Sequence, residues 1–509
     1  MQGPEGSAAC GRSNNKCQEG IMELLSKKKT GKVERPVKVL QFGEGNFLRA
    51  FVDYMIDIAN EQGRFNGDIV LVKPIEFGSL DRFHEQECQY TVQLRGRDVE
   101  TGEPTKITRI VTSVADAVDA YGEYEKYADY AKLDTLRYIV SNTTEAGIVY
   151  DDTDRFEMNP PKTYPGKLTK FLYERYKHFN GAADKGLVML PVELIDDNGI
   201  HLKECVLKLA ALWKLEDGFT AWLNDACVFT STLVDRIVTG YPRDEAEQLC
   251  AEFGYQDNLI VTGEPFALWV IESAKDISGE FPLPDAGLPV IFTDNQKPYK
   301  QRKVRILNGA HTSFVLAAYL CGEDIVRDSL KDELILNFVN ATIFDEVIPT
   351  LTLPKQELKD FADAVIKRFN NPYVDHALLS ISLNSVSKWR ARCMPSFLQY
   401  IENEGRLPSH LTFSLAALMA FYTGSEIRDK ALIGHRDGAE YNIMDDAAVL
   451  EFFAANSGRS AEEYTHAVLS NESFWGQDLT ALDGVETAVV SYVKDIRELG
   501  MKKALEKNF

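Results

Sequence analysis

Long apolar runs are missing from this chain of 509 residues. A spanning helix needs roughly 18 to 20 consecutive apolar residues, so none is expected. Positive charge is also short: 56 Lys and Arg stand against 77 Asp and Glu, a net charge of −21. Nucleic acid and anionic membrane surfaces select basic faces, so neither is an expected partner. The eight cysteines (Cys10, Cys17, Cys88, Cys205, Cys227, Cys250, Cys321 and Cys393) contain no CxxC pair, and the eight histidines show no HExxH spacing. A disulfide frame and a metal site are therefore not expected. Residues 1–32 are polar and lack the apolar core of a secretory signal, which makes the cytoplasm the expected address.

What is present is the composition of an ordinary globular protein, 45% hydrophobic and 26% charged. At about 150 residues per domain, the length suits two large domains or three smaller ones. The first run after the tail, Pro36 to Gly43, is β-branched and ends in glycine, as a buried strand does. Asn46 can cap a helix in which Phe47, Leu48, Phe51, Met55 and Ile58 recur at helical spacing until Gly63. Asp68 to Val72 reads as a second strand, completing a βαβ unit. Further strand-like runs at 90–94, 107–111, 138–141 and 186–190 alternate with helical patterns such as 167–178 and 202–213. From Val304 the pattern becomes long amphipathic stretches at 311–321, 331–346, 355–369, 374–403, 410–423, 446–457 and 485–506. The expected architecture is a polar tail (1–32), an α/β Rossmann-like dinucleotide-binding domain (33–292) and a mainly α-helical C-terminal domain (293–509).

Gly43-Glu44-Gly45 lies at the first strand-to-helix turn, where glycines let a backbone approach a pyrophosphate. Leu48 occupies the third position of G-x-G-x-x-G, so the fingerprint is incomplete, and a plain strand-helix turn fits equally well. After the second strand stands Lys73 rather than the carboxylate that binds a ribose, either a partner for a 2′-phosphate or a solvated strand-end charge. Five cations crowd Lys297 to Arg305 (Lys297, Lys300, Arg302, Lys303 and Arg305), as a site for an anionic ligand requires and as a solvated loop also displays. Asn308 and His311 follow three residues apart on one helix face, beside apolar Ile306, Leu307, Phe314 and Val315. A second cluster, Lys388, Arg390 and Arg392, lies in a helical stretch; arginine forks suit a carboxylate, but by itself a solvated surface face of the helix is the better reading. The remaining histidines carry no motif.

Lys303-x-x-x-x-Asn308-x-x-His311 resembles the signature of the mannitol dehydrogenase family, the polyol-specific long-chain dehydrogenases. Gly43-x-Gly45-x-Phe47-x-Arg49, Thr144-Glu145-Ala146-Gly147, Val234-Asp235-Arg236-Ile237 and Glu264-Pro265-Phe266 with Trp269-Val270 are similar to four more of its segments, in the same order. Pro191 to Gly199, Thr293 to Tyr299 and Ser382 to Arg392 look like a branch that reduces a hexuronate. The resemblance implies a metal-free oxidoreductase using NAD, with Gly43, Gly45, Asn46, Phe47, Arg49, Thr144 and Glu145 at the cofactor. It makes Lys303 the proton donor, Asn308 the partner of the reacting oxygen and His311 an orienting group. Burial, with Arg302 and Arg305 as neighbouring cations, would depress the Lys303 pKa. A hexuronate carries a carboxylate, for which Lys388, Arg390 and Arg392 are the expected cations. Sugar-alcohol members place an Asn where this chain has Leu194, and Asn198 is the substitute the segment offers. A different hexuronate (fructuronate) or an uncharged ketose as substrate, or a nucleotide-binding protein without turnover, are the alternatives at this point.

Overall fold

The computed structural model describes residues 22–509 apart from Val99 and Glu145. The strands of the first half are β1 (Val37–Phe42), β2 (Asp68–Lys73), β3 (Tyr90–Arg97), β4 (Pro104–Val111), β5 (Val114–Asp119), β6 (Tyr138–Ser141) and β7 (Val188–Pro191). They continue with β8 (Val228–Phe229), β9 (Ser231–Asp235), β10 (Val238–Gly240), β11 (Val261–Gly263), β12 (Leu268–Glu272) and β13 (Val290–Thr293). Six of them form one parallel sheet in the order β5-β2-β1-β6-β7-β8. This is the doubly wound arrangement, in which the winding reverses between β1 and β6 and opens a crevice at the strand ends.

Side chains alternate across such a sheet. Val39, Ile69, Leu71, Val140 and Leu190 enter a core on one face, and Leu40, Phe42, Val70, Val72, Ile139 and Met189 enter another on the opposite face. Burial on both faces is why these strands read as continuous apolar runs. Two smaller sheets, β10-β11-β3-β4 and β13-β12-β9, flank the main one. The antiparallel pairing of β3 with β4 joins two of the runs seen in the sequence. Residues within the expected polar tail are docked: Leu25 is fully buried, and Lys32 meets Asp68 in a fully buried ion pair of 2.9 Å.

The second half is helical, from Lys297–Arg302 to Met501–Asn508. The stretch expected as one helix at 374–403 is three: Leu378–Ile381, Ser385–Arg392 and Met394–Glu404. Three short strands, Ile427–Arg428, Ala431–Arg436 and Ala439–Ile443, interrupt the helices. The helical core includes Leu268 and Val270 of β12, so apolar packing is continuous between the halves. Among the described residues no helix is long and apolar enough to cross a membrane.

Candidate active site

At the end of β1, Gly43 adopts φ +118°, and a Cβ there would meet the Asn142 carbonyl oxygen at 3.0 Å and Leu48 Cδ1 at 3.2 Å. Gly45, which caps the following helix in place of the expected Asn46, has nothing within 4 Å of a Cβ. One glycine is needed by the chain itself; the other leaves open space at a helix start, as close approach of a pyrophosphate demands. Phe47, Asn142, Thr144 and Val192 then line a cavity of about 420 Å³ beside the ends of β1, β6 and β7. Thr144 holds a strained φ of +89°. Together the bare turn and the adjoining crevice fit a dinucleotide. Glu145 lies outside the described residues.

Arg49 does not face this cavity. Its guanidinium is buried, donating to the Leu259 carbonyl at 2.6 Å and to Asn46 Oδ1 at 2.6 Å, and it packs over Tyr90. It braces Asn46 rather than reaching a ligand. Lys73 is neither a phosphate partner nor a solvated charge: it is 1% exposed, with its ammonium 3.0 Å from Asp119 and among the carbonyls of Glu76, Phe77 and Gly78.

The helix from Lys297 changes winding at Lys303–Asn308, which is π-helical, and resumes as Gly309–Leu320. Five residues make about 1.4 turns of an α-helix, whereas the i→i+5 bonding of a π-helix stacks such residues. Lys303 and Asn308 accordingly line one cavity of about 240 Å³ together with Leu194, Thr232, Lys297 and Lys300. Lys303, Leu194 and Val234 line the strand-end cavity as well. Of the five cations in the basic run, Arg302 turns to Glu357 at 2.6 Å and Arg305 to Thr350, while Lys300 pairs with Asp196. The run is thus no single anion site, although three of its members line the cavity.

Lys303 Nζ donates to the Val234 carbonyl at 2.8 Å and stands 3.8 Å from Asp235 Oδ1. Burial pushes its pKa down; Asp235 opposes this, and Arg368 reinforces it. The cation beside Lys303 is therefore Arg368, in place of the expected Arg302 and Arg305. His311 stacks on Phe369 with ring centroids 4.1 Å apart and meets His376 edge-on at 5.4 Å. Burial, then His376, Arg368, Arg392 and Lys388, hold its pKa well below the ordinary value, so the ring is neutral at pH 7. Its Nε2 is buried without a hydrogen-bond partner, as a group reserved for a ligand would be.

Lys388 and Arg392 are one turn apart and both act on His311; Arg392 also reaches Thr312 Oγ1 at 3.4 Å. Arg390 faces the other way, exposed beside Gly476, as its position between them on the helix dictates. Asn198 is not the substitute for Leu194 that the segment offers. It is fully buried, its amide donating to the carbonyls of Pro191, Glu193 and Thr232 and accepting from the Thr232 N–H, so nothing remains for a substrate. Sequence reasoning gave no role to Arg368 or His376, and no spacing signal marks either one. Asp235 and Glu264 stand in the quoted segments; their meeting through Arg368 needed the fold.

Residues 37–284 match the Mannitol dehydrogenase Rossmann domain and residues 295–497 the Mannitol dehydrogenase C-terminal domain. Altronate oxidoreductase of Yersinia enterocolitica is 44% identical over 490 residues, 95% of this chain and 99% of that protein. The proteins of the same name from Pectobacterium atrosepticum and Bacteroides thetaiotaomicron are 46% and 42% identical over 492 and 485 residues, again 95% of this chain and 99% of theirs. Among solved structures, D-sorbitol dehydrogenase in substrate-free form is similar with a TM-score of 0.75 at 22% identity, covering 95% of this chain and 100% of that one. Pseudomonas fluorescens mannitol 2-dehydrogenase, in ternary complex with NAD and D-mannitol, has a TM-score of 0.64 at 21% identity, with 96% and 99% covered. At these identities the structures share the fold.

Proposed function

The chain belongs to the mannitol dehydrogenase family, and from that premise we propose that it interconverts D-tagaturonate and D-altronate with NAD as hydride carrier. The relatives named altronate oxidoreductase, matched over nearly their whole length, support the substrate. The observation that carries the mechanism is that Lys303 lines both the strand-end cavity and the cavity of the basic residues. One ammonium is thereby available to a cofactor-side and a substrate-side ligand at once.

When bound, the nicotinamide supplies or takes back the hydride. Gly43, Gly45, Asn46, Phe47 and Thr144 form the cofactor side, and Arg49 acts on it through Asn46. With Lys73 committed to Asp119 and its own loop, no free lysine ammonium stands at the end of β2 for a 2′-phosphate, which favours NAD over NADP. In reduction Lys303 gives its proton to the oxygen of the carbonyl; in oxidation the neutral amine takes the hydroxyl proton. Asn308, on the same cavity wall, hydrogen-bonds that oxygen. His311 offers its unpartnered Nε2 to a substrate hydroxyl, and Lys388 with Arg392 binds the carboxylate. The six described cysteines are free thiols, which supports the cytoplasm as its place.

Following NADH absorbance with tagaturonate, fructuronate and fructose side by side tests this reading. Tagaturonate should be reduced fastest. Faster turnover of fructose would overturn the sugar-acid assignment, and tight NADH binding without turnover of any of the three would overturn the enzymatic one.

A further inference from the structure

Arg368 lies near the end of the Lys355–Phe369 helix in the helical half, yet both its partners belong to the sheet half. Its guanidinium takes both oxygens of Asp235, at 3.0 and 3.1 Å, and both oxygens of Glu264, at 3.0 and 2.8 Å. All three side chains are nearly inaccessible, 6% exposed for Arg368, 7% for Asp235 and 3% for Glu264. The guanidinium also lies over the Phe266 ring, 4.2 Å from its centroid. Asp235 ends β9 and immediately follows Val234, whose carbonyl accepts from Lys303.

This arrangement presents an electrostatic difficulty that it also resolves. A lone carboxylate 3.8 Å from a buried ammonium would hold that lysine charged and suppress its exchange of protons. Here the Asp235 oxygens are already engaged by a bidentate fork, and Lys303 directs its hydrogen bond to a neutral carbonyl instead. The other charged groups around Lys303 cannot take over this part. Asp196 and Lys300 pair with each other, Glu193 is tied to Ser141 and Thr143, Arg236 donates to the carbonyls of Ala50, Pro265 and Phe266, and Asp197 and Lys297 set opposite charges on the cavity wall.

We propose that Arg368 is a positioning residue for the reaction: by occupying Asp235 and Glu264 it leaves Lys303 free to cycle between ammonium and amine. The inference rests on the proton-transfer role of Lys303 given above. Its direction agrees with the charges around Lys303, where Asp235 favours the ammonium and Arg368 disfavours it.

The test is the pH profile of kcat for altronate oxidation, which requires the neutral amine and so declines at low pH. In Arg368→Gln the limb of that decline should move to higher pH by about one unit or more, while Arg368→Lys, which keeps the charge, should hold most of the parental position. Asp235→Asn should move the limb the other way, and Asp235→Asn combined with Arg368→Gln should return it most of the way to the parent. A limb that stays in place in Arg368→Gln, or in Asp235→Asn should the arginine variant fail to fold, overturns the proposal. Lys303→Met separates the two levels of argument. If that variant keeps the parental limb, the role of Lys303 itself is wrong; if it is inactive while the other limbs do not move, only the role of Arg368 is wrong.

Discussion

Lys303 and Asn308 face the same cavity because the helix that carries them is π-wound between those two residues. An uninterrupted α-helix would set them on different sides, so the local winding is what brings an ammonium and a side-chain amide to one wall.

Replacing Lys303 by Ala is expected to lower kcat by about 10²- to 10⁴-fold, the usual contribution of a positioned acid or base. NADH affinity, read by fluorescence titration, should stay within about twofold because the cofactor cavity keeps its other walls. Retained turnover would remove Lys303 from the mechanism.

Lys388→Ala and Arg392→Ala should each raise the KM for tagaturonate by about 10- to 100-fold, as loss of one charge-assisted hydrogen bond does. Arg390→Ala, altered on the far side of the same helix, should match the parent. Equal effects from all three would mean that the carboxylate is not read by this face.

The two glycines of the first turn should respond differently to the same change. Gly43→Ala places a Cβ at φ +118° against the Asn142 carbonyl and should cost about 1–3 kcal/mol of stability, visible as a lower Tm. Gly45→Ala meets nothing within 4 Å and should leave Tm unchanged while weakening NADH binding. Unaltered NADH affinity in Gly45→Ala would place the pyrophosphate elsewhere.

Asp53 links this turn to protein stability. Burial pushes its pKa up to about 7, even though Tyr90 donates to Oδ2 at 2.6 Å. Oδ1 and the nearby Gln41 Oε1 both lack a donor, and a proton on Asp53 supplies one. Between about pH 4, where an unfolded Asp loses its proton, and pH 7 the native state holds a proton that the unfolded chain has released. Stability contributed by this group therefore falls as pH rises through that window, and the loss is complete above pH 7. Asp53→Asn should flatten the decline in Tm between pH 5 and 8; an unchanged slope would show that Asp53 ionises normally.

The fold class was readable because strands buried on both faces leave unbroken apolar runs, and because Gly43 and Gly45 mark the first βα turn. The proposed catalytic set shows in the sequence as a spacing, Lys303 to Asn308 to His311, although the π-winding that brings Lys303 and Asn308 to one wall leaves no mark in the residue types. What failed was the assignment of charges. Arg302 and Arg305 sit next to Lys303 in the chain but turn to Glu357 and Thr350, while Arg368 arrives from 65 residues away. Asn198 and Arg49 carry polar heads suited to ligands, yet Asn198 is consumed by backbone carbonyls that the fold leaves in need of donors, and Arg49 turns to the Leu259 carbonyl and Asn46 Oδ1. The short strands after residue 426 escaped notice because they are two to six residues long and lie among helices.

Leu268 and Val270 of β12 belong to the apolar core of the helical half. The seam between the halves is therefore interior rather than surface, and parting the halves would expose oil to water. Because apolar packing runs across that seam, the halves should not move independently, and heating should melt both in one transition instead of two.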